Sequence, residues 1–238
     1  MKENKGKIIL FLSVNLSLYI AFMGFSLPRE YIFYFLTVLF SFLFTLIIRD
    51  YSLDAWLIRI ALFFTVLADV FLVLLDGFYS LALCFFLITQ TSYMTRMLIS
   101  GEKKDKTIQL LSQGSVVVLM VLVAVSLFKK DTVIDIVLAA GYFALLVSNI
   151  FFAFRKSKTF PLFWLGLVLF CFCDIFVGLA VLGRYTTLNP DSLIYKINHI
   201  PFNFIWFFYT PSQTILALTI INKKKSCHTR EEGTRQLD

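Results

Sequence analysis

The run WLIRIALFFTVLADVFLVLL, residues 56–75, is apolar apart from Arg59, Thr65 and Asp69. As a helix rising 1.5 Å per residue it covers about 30 Å, the thickness of a bilayer's hydrocarbon core. Asp69 lies deep inside it. An ionisable side chain there costs several kcal/mol unless it faces a bundle interior or a wet cavity, so it marks a functional site. A second stretch repeats the arrangement. Ala68-Asp69-Val70-Phe71-Leu72 and Cys173-Asp174-Ile175-Phe176-Val177 share an Asp, a β-branched residue, a Phe and an aliphatic residue in the same order. The next apolar run after each Asp carries a second match, Thr89-Gln90-Thr91 in one case and Ser212-Gln213-Thr214 in the other. These pairs predict an internal duplication with a polar centre built from both copies.

Composition agrees with a membrane setting. The chain is 59% hydrophobic, has 28 Phe and a mean hydropathy of +0.82, against the roughly 45–50% apolar content of soluble domains. Eight runs reach spanning length: Ile8 to Phe25, Tyr31 to Ile48, Trp56 to Leu75, Phe78 to Leu98, Leu110 to Phe128, Val133 to Phe154, Pro161 to Leu182 and Phe202 to Ile221. The expected fold is therefore all-α, a polytopic protein with eight transmembrane helices and a 4+4 parallel internal repeat. Residues 1–222 form a single transmembrane domain in this reading, followed by a charged cytoplasmic tail over 223–238. With the amino terminus inside, seventeen basic residues fall on the cytoplasmic side and five outside. That bias predicts cytoplasmic termini and residence in the cell membrane. It also accounts for the net charge of +7 through anionic lipid headgroups, without nucleic acid. The apolar run after Lys2, Lys5 and Lys7 is too long for a signal peptide, and Gly24-Phe25-Ser26-Leu27-Pro28 is a poor cleavage site, so it reads as the first span. Cys84, Cys171, Cys173 and Cys227 suggest neither a disulfide framework nor a metal site.

Four helices per half bring the second half into the membrane from the same side as the first, so the repeat axis runs along the membrane normal. Asp69 and Asp174 then stand at matched depth, about thirteen residues or on the order of 20 Å into outward-running helices, and are expected to face each other across one central cavity. Gln90 and Tyr93 share one helix face, as do Tyr209 and Gln213, by their three- and four-residue spacings. These four are candidates for orienting a substrate or water; interhelical hydrogen bonding is their alternative role. Pro211 removes a backbone bond in the last span and is expected to widen the space beside Gln213. His199 reads as a solvated residue near the outer surface. Gly24, Gly114, Gly141 and Gly178 are expected to permit close helix contact. Two close buried carboxyls share a proton, which supplies a neutral acid and a carboxylate together.

Ala68-Asp69-Val70-Phe71-Leu72, Gln90-x-x-Tyr93, Phe172-Cys173-Asp174 and Tyr209-x-x-Ser212-Gln213-x-Ile215 resemble, in order and spacing, the YhhN-type membrane proteins that include lysoplasmalogenases. The family pattern has Gly-Asp at Ala68-Asp69, His at Gln90 and Ser-Asp at Cys173-Asp174. The resemblance implies hydrolysis of the vinyl ether of a lysolipid to a fatty aldehyde and a glycerophospho-alcohol. Asp69 and Asp174 would be the catalytic pair, with no metal or organic cofactor and with membrane lipid as partner. The rival reading is a small transporter or sensor that uses the same aspartates, or a family member without activity.

Overall fold

The computed structural model describes residues 2–25, 28–99, 103–128, 134–157, 160–182 and 190–221. The tail from residue 223, Cys227 and the Lys129-Lys130-Asp131 link lie outside the described residues. Hydrocarbon offers backbone groups no hydrogen-bond partner, so each segment satisfies its own N–H and C=O groups as a helix. The helices are α1 (Lys2–Gly24), α2 (Glu30–Ile47), α3 (Leu53–Asp69), α4 (Tyr79–Ile99), α5 (Lys103–Phe128), α6 (Ile134–Arg155), α7 (Pro161–Leu182), α8 (Leu193–Asn198) and α9 (Phe204–Leu218). All but the short α8 are long and apolar enough to cross a membrane, and no strand occurs among the described residues. The protein is an integral, multi-pass membrane protein.

Six helices close a ring in the order α2, α3, α4, α6, α7, α9, each packed on the next and α9 back on α2. Outside the ring, α1 lies against α2 and α9, and α5 lies against α6 and α4. The packing repeats itself. Matching α1 to α5, α2 to α6, α3 to α7 and α4 to α9 turns each of these pairings into another of the same set. Individual contacts repeat too. Thr89 donates to the Ala61 carbonyl at 3.1 Å, eight residues before Asp69, and Ser212 donates to the Gly166 carbonyl at 2.8 Å, eight residues before Asp174. Buried positions register in the same way: Tyr34, Val38, Ser41 and Phe44 on α2 against Tyr142, Leu146, Asn149 and Phe152 on α6. On α1 and α5 the matching buried pairs are Phe11 with Gln109 and Asn15 with Gln113.

Two local features depart from the sequence expectation. The close helix contact is made at Gly166, not at the four glycines expected. A Cβ at Gly166 would stand 2.8 Å from Cγ and Cδ2 of Leu216 on α9, whereas Gly24, Gly114 and Gly178 have nothing within 4 Å and Gly141 meets only Val121 at 3.9 Å. Arg59 and Arg96, two of the seventeen basic residues assigned to the cytoplasmic side, are buried within the bundle. Arg59 donates to the Thr45 and Ile48 carbonyls at 3.1 and 2.7 Å, closing the carboxyl-terminal end of α2. Arg96 makes a bidentate pair with Asp54 at 3.0 and 3.2 Å, reaches the Thr219 hydroxyl at 2.8 Å and stacks over Phe163. One residue thus ties α3, α4 and the end of α9 together.

Pro211 lies inside α9, as expected. Having no N–H, it leaves the carbonyl of Phe207 free, and the Tyr19 hydroxyl of α1 donates to that oxygen at 3.4 Å.

Candidate functional site

Asp69 is the last residue of α3, and the chain then passes into a π-helical turn, Val70–Leu74, closed by Leu75 N–H on the Val70 carbonyl at 3.0 Å. Such turns insert a residue into the helix and recur at functional sites. The Asp69 carboxyl is buried, 2% exposed, and the Tyr209 hydroxyl of α9 lies within hydrogen-bond distance of both its oxygens, at 3.0 and 2.9 Å. Asp174 sits in the middle of α7 and is partly exposed. The Tyr142 hydroxyl of α6 donates to its Oδ2. Each aspartate therefore has a tyrosine from a different helix.

The two aspartates come from α3 and α7 of the same ring, and Cys173 beside Asp174 is buried. An arc of rings joins the two tyrosines. Tyr142 lies 5.4 Å from Phe86, Phe86 lies 6.0 Å from Phe170 and Phe170 lies 5.5 Å from Tyr209, so α6, α4, α7 and α9 each place one ring in it. Apolar walls around two carboxyls and two hydroxyls make a site suited to handling a proton beside a hydrocarbon chain.

The other residues expected at the site are buried but differently engaged. Gln90 is fully buried, and its Oε1 accepts from Asn149 at 3.0 Å. Asn149 in turn accepts from Gln113 at 2.8 Å, and Gln109 donates to Gln113 at 3.4 Å. Tyr93 packs edge-on against Phe163 at 5.5 Å, and its hydroxyl has no partner among the described residues. Neither Nε2 nor Oε1 of Gln213 has one. Of the four orienting candidates, Tyr209 alone bonds a carboxylate. His199 is exposed, stacks on Tyr195 at 3.9 Å and contacts the Tyr195 carbonyl at 2.8 Å.

Sequence reasoning missed Tyr142 and Asn149. Asn149 carries a signal, a carboxamide inside an apolar run. Tyr142 carries none, since it is one of ten tyrosines and only the register of α6 on α7 selects it.

Residues 29–220 match the YhhN family, which covers the ring of helices and both aspartates. The chain belongs to the YhhN family. No curated protein and no solved structure matches it. For this YhhN protein the described site therefore rests on its own geometry: a carboxyl pair, each member with a tyrosine hydroxyl, enclosed by α3, α6, α7 and α9.

Proposed function

We propose that this YhhN family member is a cell-membrane hydrolase that cleaves the vinyl ether of a lysoplasmalogen-type lysolipid. The observation that carries the reading is the pairing of Asp69 with Tyr209 and of Asp174 with Tyr142 inside one apolar enclosure. Family membership supports it.

The chemistry asks for what this pair offers. A vinyl ether, R–CH=CH–O–R′, is protonated at the carbon remote from oxygen, giving an oxocarbenium ion. Water adds to that ion and loses a proton, and the hemiacetal collapses to R–CH2–CHO and R′–OH. Asp174 is partly exposed, and Tyr142 leaves its Oδ1 open, so it is placed to meet a substrate and deliver the proton. Asp69 receives the Tyr209 hydroxyl, a hydrogen bond that supports its carboxylate against the opposing effect of burial, and in that form it stabilises the cation and accepts the water's proton. Gln90, Tyr93 and Gln213 act on substrate or water from the same interior.

The test follows aldehyde release from a panel of lysolipids by purified protein. Asp69→Asn and Asp174→Asn keep size and remove proton exchange, so each is expected to lower turnover by orders of magnitude while the protein stays folded. A parent without turnover on any lysoplasmalogen, or fully active Asn variants, ends the reading.

A further inference from the structure

One side of the molecule closes a chain of carboxamides that the symmetry-related side leaves open. On one side Gln113 on α5 donates to Asn149 on α6, and Asn149 donates across the junction of the halves to Gln90 on α4. The matching positions on the other side are Asn15 on α1, Ser41 on α2 and Gln213 on α9. Ser41 is too short to bridge its neighbours, and its hydroxyl donates instead to the Thr37 carbonyl at 2.9 Å within its own helix. Three buried atoms without a partner among the described residues fall where the bridge is missing, Oδ1 of Asn15 and both Nε2 and Oε1 of Gln213, against one, Nε2 of Gln90, in the closed chain. All three side chains are at most 2% exposed.

Contacts around these residues bring them together independently of the repeat. Phe11 stacks on Phe44 at 4.1 Å, and Phe22 meets Tyr34 at 4.9 Å. Asn15 and Ser41 lie between those two contacts on the facing sides of α1 and α2. The Thr37 and Thr210 hydroxyls touch at 3.4 Å, and α2 and α9 run in the same direction, so one turn further along Ser41 comes beside Gln213. Side chains on a helix lean toward its amino terminus, which tilts Gln213 toward Tyr209, one turn earlier and bonded to Asp69.

We propose that Asn15, Ser41 and Gln213 enclose a buried hydration site holding one water molecule, which supplies the hydrolysis at the neighbouring carboxyl pair. The supply role rests on the hydrolase reading, whereas the hydration site does not. A buried water takes two to four polar partners, and here two acceptors and one donor face the gap. The exchange of Asn for Ser at this position removes a volume on the order of one water, roughly 30 Å³. A water there gives the amide atoms of Asn15 and Gln213 partners, which is the condition under which such groups persist in membrane interiors.

Ser41→Asn copies the closed side and decides the matter in two arms. A density map of the full chain in lipid at a resolution that shows water is expected to place a peak between Asn15 Oδ1 and the Gln213 amide. Ser41→Asn should abolish the peak, link the carboxamides directly and melt no lower than the parent. A parent in which Gln213 bonds protein directly, or an Asn variant that melts well below the parent for want of space, overturns the site. In the activity arm, Ser41→Asn is expected to lower kcat at least about fivefold with KM unchanged, the signature of a loss confined to the chemical step. If the peak is gone and turnover stays parental, the supply role is overturned. A parent inactive on every lysoplasmalogen removes the supply role together with the hydrolase reading, and the peak still decides the site.

Discussion

Asp69 receives one hydroxyl, from Tyr209, across both of its oxygens, and this contact is the only direct bond between α3 and α9 at that depth among the described residues. Tyr209→Phe keeps the ring against Phe170 and removes the donor. Leaving a buried carboxyl without it costs about 1–3 kcal/mol, so the variant should melt earlier in detergent and lose most aldehyde release. Tyr142→Phe removes the donor to a carboxyl that is partly exposed, where water can substitute, and a smaller loss of stability is expected. A thermal melt of the two variants side by side checks the order. Both aspartates were legible in the sequence because a charge inside twenty apolar residues has no cheap explanation. Their tyrosines were legible only on one side. Tyr209 stood out by its spacing from Gln213 on one helix, a local relation; Tyr142 acts across two helices, and a single sequence carries no register between helices.

At the scale of elements, α7 and α9 approach closely because Gly166 has no side chain. Gly166→Ala sets a methyl against the buried Leu216 and strains the Ser212 hydrogen bond to the Gly166 carbonyl. Overpacking of this kind costs typically about 1–3 kcal/mol, whereas Gly178→Ala, with open space around it, should melt like the parent. The spans themselves were readable from hydropathy, since helix length is set by bilayer thickness. Which glycine matters was not, because close approach is a property of two helices and the sequence shows one at a time. The π turn after Asp69 was likewise invisible: Val70 to Leu74 are ordinary strand-prone or apolar residues, and the turn is fixed by how α3 meets the Asp76-Gly77-Phe78 link, where Asp76 and Phe78 take positive φ. The end of the bundle where α3 begins and α4 finishes is held by Asp54 and Arg96. Asp54→Asn leaves a buried guanidinium without its anion and should cost about 3–5 kcal/mol, while the double variant Asp54→Asn, Arg96→Gln should recover part of it. Melting temperatures of the single and double variants read the difference.

At the scale of the whole molecule, the charge bias predicts one orientation. Reporter fusions at Lys225 and within residues 186–189 should report opposite compartments, the first cytoplasmic; agreement between them overturns the topology. The duplication was legible from two short matches, and the structure extends it to packing, since each helix pairing of one half recurs in the other. The halves meet through α2 with α9 and α4 with α6, pairs that correspond to each other. Each half therefore presents the other with the kind of surface it also carries itself. Cut in the α4 to α5 link and made as two polypeptides, the protein should reassemble in the membrane. The same surfaces would let either four-helix piece find its own twin instead. A twin of the first piece would then contain two open Ser41 gaps, and a twin of the second would contain none, so a lineage that began as such a homodimer could separate a wet side from a dry one only after its gene had doubled.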